Sequence, residues 1–112
     1  MAFDMYMGRY LRNSFRLGLW ADNIDDRDYM LFRFIEERIE DGYEKFPALI
    51  ELAEKFYDGP ILIPDQCRTI ADELLELRTL VSDENLNASI GRLSAFFSKA
   101  NSRRMTIWCR SD

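Results

Sequence analysis

The sequence predicts a single α+β domain over residues 1–112, with about four helices packed on a small antiparallel ribbon formed by N- and C-terminal strands. Both ends of the chain have strand-like patterns, and the middle contains four segments with helical spacing of apolar residues. Proline, glycine or aspartate marks most of the junctions. An isolated two-stranded ribbon is marginal in water, so the helices are expected to cover one of its faces.

The two terminal segments are expected to be strands. Residues 3–11 alternate loosely between apolar and polar side chains and are rich in aromatics, with Gly8 as a weak point. Residues 105–109 form a closing strand whose odd-numbered side chains share one face. Residues 12–23 fit either a loop or a second short strand, because polar residues and a glycine interrupt their apolar side chains.

The first two helices are predicted from caps and spacing. Residues 26–41 form the first helix, which Gly42 is expected to end. Its candidate caps are Asp22, Asn23 and Asp25, and its apolar stripe is Phe32, Ile35, Ile39 and Tyr43. A shorter helix starts at Pro47, with an apolar face made by Leu49, Leu52, Ala53 and Phe56. The turn at residues 58–60 ends this part of the chain.

The second half of the chain predicts two longer helices. Residues 61–63 are a buried connector or a very short strand, and Pro64 then opens the clearest helix. Its stripe is Cys67, Ile70, Leu74, Leu77 and Val81, whereas Asp72, Glu73, Glu76 and Arg78 are expected mostly off that stripe. Residues 82–84 cap the last helix, whose inner face is Leu86, Ile90, Leu93 and Phe97. Gly91 weakens this helix by about 1 kcal/mol relative to alanine.

Charge is the sequence feature that bears most on function. Residues 22–58 hold twelve of the twenty carboxylates and five basic residues, a net charge of −7 in a chain whose total is −5. Nucleic-acid binding is not expected, since affinity for phosphates comes mainly from clustered lysine and arginine. An uneven distribution of this kind concerns partners and association rates rather than fold.

Membrane insertion and secretion are not expected either. No apolar run approaches the roughly 20 residues that cross a bilayer, and the start lacks a basic segment followed by an apolar one. Cys67 and Cys109 are too few for a disulfide framework. The expected state is two reduced, partly buried thiols, and one disulfide between them is the alternative. The expected compartment is the cytoplasm.

The residue types predict no catalytic, cofactor or metal site. The absence of histidine removes the usual general base and any Cys/His zinc site. The five glycines are scattered, so no phosphate loop is present. Residues 22–28 are rich in oxygen ligands but lack the central glycine and closing glutamate of an EF-hand, and helix capping explains them better. Catalysis by carboxylates alone is the last-ranked alternative.

A stretch near the middle of the chain resembles a group of small bacterial proteins of uncharacterised function. The resemblance covers about residues 46–80 and rests on Phe46-Pro47-Ala48-Leu49, Asp58-Gly59, Ile63-Pro64, Cys67 and Ala71-Asp72-Glu73-Leu74. It implies a helix, a turn, a proline-started helix and terminal strands. Some small acidic proteins of this general kind lie beside secreted-toxin genes and resemble immunity proteins. The apolar residues 61–63 depart from the polar segment that the group usually has there.

These observations together predict a non-enzymatic inhibitor of the immunity or antitoxin type that covers a basic site on a toxin domain. The predicted partner-binding residues are Asp25, Asp26, Tyr29, Glu36, Glu37, Glu40, Asp41, Tyr43 and Glu44, with Trp20 as a further aromatic candidate. Two alternatives stay open. One is a structural or adaptor protein acting as a homodimer or a complex subunit, and the other is an acidic surface that only aids solubility.

Overall fold

The computed structural model describes residues 3–9 and 21–111. In chain order these residues form β1 (Phe3–Gly8), β2 (Ala21–Ile24), α1 (Asp26–Arg38), α2 (Gly42–Lys45), α3 (Pro47–Glu54), a 3₁₀ turn (Phe56–Asp58), β3 (Ile61–Leu62), α4 (Pro64–Arg78), α5 (Glu84–Ser102) and β4 (Thr106–Ser111). The α+β prediction is confirmed. Within these ranges the structure has five helices and four strands, where the sequence predicted about four helices and a two-stranded ribbon.

The sheet is antiparallel, in the order β2-β1-β4-β3. The predicted ribbon is its centre, where Met5 on β1 lies opposite Cys109 on β4. β2 adds one edge by pairing Asp22 with Met5, and β3 adds the other by pairing Leu62 with Ile107. The ambiguous segment 12–23 therefore ends in a strand, while residues 10–20 lie outside the described ranges.

The core lies between the inner face of the sheet and the helices. Met5, Met7 and Ile107 are buried on the sheet side, and the predicted stripes of α4 and α5 supply much of the helical side. Almost all of these stripe residues are buried: Cys67, Ile70, Leu74, Leu77 and Val81 from α4 and the turn after it, and Ile90, Leu93 and Phe97 from α5. Leu86, the other residue of the predicted inner face, is half-buried. The connector at residues 61–63 was expected to be buried, but only Leu62 is. No helix in the part of the chain that the structure describes is long and apolar enough to cross a membrane.

The first helix is shorter than predicted. It ends at Arg38 because Ile39 is extended, with φ −107° and ψ 119°, and Asp41 then adopts a left-handed conformation with φ 61°. Gly42 begins α2 instead of ending α1. Its lack of a side chain is required by packing, because a Cβ atom there would lie 2.5 Å from the carbonyl oxygen of Ile35. The change of direction takes Tyr43 off the predicted stripe and leaves it 56% exposed.

Glu73 was expected mostly to face away from the core, but it is only 8% exposed. Its carboxylate accepts hydrogen bonds from the backbone N–H groups of Ala48 and Leu49, both at 3.0 Å. These donors lie in the first turn of α3, where Pro47 has no N–H and Phe46 has no side-chain acceptor. Glu73 therefore caps α3 from a helix that lies 25 residues later in sequence, and the prediction for this side chain was wrong.

Candidate functional site

The start of α1 is fixed by a reciprocal cap. Asp25 Oδ1 accepts from the backbone N–H groups of Arg27 at 2.9 Å and Asp28 at 3.1 Å, and Asp28 Oδ2 accepts from the N–H of Asp25 at 3.2 Å. The hydrogen bond from Asp28 is the main cause that lowers the pKa of Asp25 below its ordinary value. Of the three candidate caps only Asp25 caps the helix, since Asp22 and Asn23 belong to β2.

A partly buried ionic network joins this cap to the rest of the molecule. Asp28 is 3% exposed, and it accepts a hydrogen bond from the Ser89 hydroxyl at 2.7 Å and a charge-assisted one from Arg92. The other terminal nitrogen of Arg92 donates to Asp22 at 2.6 Å. Burial disfavours the charged guanidinium, but the hydrogen bond to Asp28 and the neighbouring carboxylates outweigh it and raise the pKa of Arg92. The network ties β2, α1 and α5 together and so holds the start of α1 in place.

The nine predicted partner-binding residues form two groups at opposite ends of α1. Eight of them are exposed: Asp26, Tyr29, Glu36, Glu37, Glu40, Asp41, Tyr43 and Glu44, while Asp25 is half-buried. The start of α1 carries Asp25, Asp26 and Tyr29. The other six residues lie at its end, in the following turn and in α2. At 1.5 Å per residue, the backbones of Asp26 and Glu36 are about 15 Å apart along the helix.

We call Glu36, Glu37, Glu40, Asp41 and Glu44 the acidic surface. With Arg38 as the one basic residue among positions 36–44, this segment has a net charge of −4. Among residues 3–9 and 21–111, the ion pair that this surface forms joins Glu37 to Arg33 at 3.0 Å, and both side chains are more than half exposed. An exposed pair of this kind contributes little to stability, so these acids are directed chiefly at solvent.

The helix α1 itself is nearly neutral. Its four carboxylates are offset by three arginines, Arg27, Arg33 and Arg38. These arginines line an open groove of about 840 Å³ between α1 and the first half of α5, together with Arg92 and the carboxylates of Asp25 and Glu37. The charge of −7 over residues 22–58 is therefore not spread evenly along α1.

A small pocket opens beside the other end of α1. Its volume is about 180 Å³, and Phe56 lies at its base among Phe3, Ile24, Ala53 and the two exposed tyrosines Tyr29 and Tyr57. The rings of Phe3 and Phe56 are 4.3 Å apart between centroids, and those of Tyr29 and Phe56 are 6.0 Å apart. We call this site the aromatic pocket. Sequence reasoning missed it, because its walls come from four separate segments of the chain.

The two cysteines are buried and free. Burial raises the pKa of both Cys67 and Cys109 to about 12, so both remain protonated thiols at neutral pH. Across residues 3–9 and 21–111 no group of three Cys, Asp or Glu side chains is arranged to hold a metal ion. Trp20, the further aromatic candidate, lies outside the described ranges.

Comparisons of the chain with protein-family models, with curated proteins and with solved structures found no match. The resemblance of residues 46–80 to small immunity-type proteins stays a prediction. The function therefore has to be argued from the acidic surface and the aromatic pocket.

Proposed function

We propose that the protein is a non-enzymatic binding protein of the immunity or antitoxin type, which acts in the cytoplasm and covers a basic site on a toxin domain. The observation that carries this proposal is the acidic surface, where five carboxylates lie exposed within nine residues at the end of α1, in the turn after it and in α2. Tyr43 lies among them and is 56% exposed. An exposed tyrosine surrounded by acids offers a contact anchor as well as a favourable field.

Electrostatic steering gives this arrangement a physical role. Toxin domains that act on nucleic acids or phosphates have electropositive clefts, and a concentrated negative surface raises the rate at which such a cleft is encountered. Steered complexes associate at up to about 10⁸–10⁹ M⁻¹s⁻¹ at low salt, compared with about 10⁵–10⁶ M⁻¹s⁻¹ without steering. Occupation of the cleft by carboxylates would then exclude the toxin's substrate.

The test uses two double variants with the same change in net charge. E36K/E40K reverses two charges of the acidic surface, and D72K/E76K reverses two exposed charges on α4; each takes the chain from −5 to −1. None of these four side chains is buried. Where a toxin domain is encoded beside this gene, that domain is the partner to use. We then expect E36K/E40K to slow association at least tenfold at low salt and D72K/E76K to slow it much less.

Asp25 is left out of the variants because its charge caps α1, and Asp41 is left out because its left-handed backbone restricts substitution. Equal slowing by both variants would assign the effect to net charge rather than to the acidic surface. An association rate that is independent of salt would contradict steering, and failure to inhibit the neighbouring toxin would contradict the immunity role.

The alternative is a homodimer in which basic residues near the termini meet the acidic segment of a second copy. Within one protomer Arg104 already forms an ion pair with Asp65 at 3.3 Å, and both side chains are well exposed. Sedimentation at low and high salt separates the two ideas. A dimer that dissociates as salt rises favours self-association, and a monomer at both salt concentrations favours an external partner.

A further inference from the structure

The aromatic pocket combines three properties that a docking site for one side chain needs. It is concave, most of its lining is apolar or aromatic, and the acidic residues Asp25 and Asp26 belong to that lining. Asp25 is fixed by the cap, and its lowered pKa keeps it ionised at neutral pH. The pocket is therefore apolar inside and negative at one edge.

The aromatic wall is held in place before any ligand arrives. Phe56 contacts three other rings, because Phe3, Tyr29 and Phe32 have centroids 4.3, 6.0 and 5.4 Å from it. The ring of Tyr29 is also 6.0 Å from that of Phe32. Since Phe32 and Phe56 are buried while Tyr29 is 44% exposed, Tyr29 presents a supported ring at the opening. Preorganised walls of this kind reduce the entropy lost on binding.

We propose that the aromatic pocket receives an arginine side chain from a basic protein partner, with the alkyl stem against Phe56 and the guanidinium between Tyr29 and the carboxylates of Asp25 and Asp26. This inference rests on the proposed function, for which it supplies the second contact point at the opposite end of α1. Charge complementarity selects a cation, and the apolar base selects one carried on an alkyl stem.

Arginine fits this lining better than lysine. A guanidinium is planar, so it can lie against the ring of Tyr29 while its edge donates to a carboxylate. It is also more weakly hydrated than an ammonium group, which makes its transfer into a pocket with aromatic walls easier. A neutral side chain of the same shape would keep the stacking but lose the attraction to Asp25 and Asp26.

The first test needs no partner and no variant. Three capped tripeptides, acetyl-Gly-Xaa-Gly-amide with arginine, lysine or citrulline as Xaa, are titrated into ¹⁵N-labelled protein and followed by NMR. We expect saturable shifts of backbone amides around Tyr29, Ala53 and Tyr57 with the arginine peptide, at least fivefold weaker binding with citrulline, and intermediate binding with lysine. Equal shifts with arginine and citrulline, or no saturable shift, would overturn the proposal.

The second test uses variants with matched controls. Y29A removes the supported ring and D26N removes one charge from the lining. Each variant is expected to bind the arginine peptide at least threefold more weakly than the wild type. L75A truncates an exposed side chain on α4 and D72N removes one charge there, and both should leave the affinity for the arginine peptide unchanged. If Y29A binds as well as the wild type, the pocket is not the site, whatever the citrulline peptide does.

The two proposals can fail separately. If the wild type binds the arginine peptide at this pocket but does not inhibit the neighbouring toxin, the pocket proposal stands and the proposed function is wrong. If the toxin complex depends on Glu36 and Glu40 but is insensitive to Y29A and D26N, the acidic surface belongs to the interface and the pocket does not.

Discussion

The cap that Glu73 places on α3 gives the sharpest test of how this fold is held together. E73L removes both acceptor oxygens while keeping a buried side chain of similar size, and E73Q keeps the shape and one acceptor. The donors that lose their partners are the N–H groups of Ala48 and Leu49. Leu49 is buried and Ala48 is half-buried, so water can replace the missing acceptor only at Ala48.

The magnitude follows from these two donors. A buried N–H group left without an acceptor costs about 1–3 kcal/mol of stability. Loss of the acceptor for both N–H groups, one of which is only half-buried, should therefore cost about 3 kcal/mol. E73L also removes a carboxylate whose desolvation is unfavourable, which offsets about 1 kcal/mol of this destabilisation. E73L should therefore lower the free energy of unfolding by about 2 kcal/mol and the melting temperature by about 8 °C.

The pH dependence has a definite sign. Burial raises the pKa of Glu73 above its ordinary value of 4.5, and the two N–H donors only partly oppose this effect. A folded-state pKa above the unfolded one means that the folded protein binds the proton more tightly. The resulting stability is fully present below pH 4.5 and is lost as pH rises through the folded pKa. Since E73Q does not titrate there, the stability of the wild type relative to E73Q should fall as pH rises from 4.5 and then level off.

Urea unfolding of wild type, E73L and E73Q between pH 4 and pH 8, followed by circular dichroism, measures both effects. E40Q, at an exposed position in the turn after α1, is the control and should stay within about 0.5 kcal/mol of the wild type. The reasoning is refuted if E73L is as stable as the wild type. It is also refuted if the free energy of unfolding of the wild type rises relative to that of E73Q as pH rises. The hydrogen bonds to the charged carboxylate would then outweigh its desolvation.

Two further predictions concern packing and thiol chemistry. G91A should raise the free energy of unfolding by about 1 kcal/mol, because nothing lies within 4 Å of a Cβ at Gly91. G42A should lower the free energy of unfolding by about 1–3 kcal/mol, because the new Cβ would clash with the Ile35 carbonyl oxygen. Equal effects of the two variants in thermal unfolding would contradict this assignment. Cys67 and Cys109, with pKa values of about 12 against an ordinary 9.0, should react with a disulfide reagent at pH 8 about 1000-fold more slowly than an exposed thiol. The ordinary rate should return in denaturing urea, and ordinary reactivity in the folded protein would contradict their burial.

Most helical elements could be predicted because their signals are local. The stripe from Cys67 to Val81 has spacings of three and four, and proline at position 64 marks its first turn. Asp83 caps α5 as expected, with its side chain accepting from the N–H of Leu86 at 3.0 Å. Such patterns need no information about what the helix packs against.

The two buried carboxylates, of which only Glu73 had been predicted otherwise, lie where a distant segment decides the outcome. Asp28 lies four residues before Phe32 on the apolar stripe, a position that could have indicated burial, but its partners Ser89 and Arg92 are more than 60 residues away. Glu73 lies beside Leu74 and three residues after Ile70, at the border of its stripe. In both cases a carboxylate could be buried only because donors from another element satisfy it.

The sequence alone determined the α+β class, the starts of α1, α3, α4 and α5 and the uneven charge, because composition, caps and periodicity are properties of neighbouring residues. Only the tertiary structure decided how that charge is arranged. The turn at Ile39 and the packing of Gly42 against Ile35 direct the end of the acidic stretch, including Tyr43, toward solvent. The packing of α1 beside Phe56 forms the aromatic pocket about 15 Å away. Contacts between segments distant in sequence thus turn one charged stretch into two separate sites.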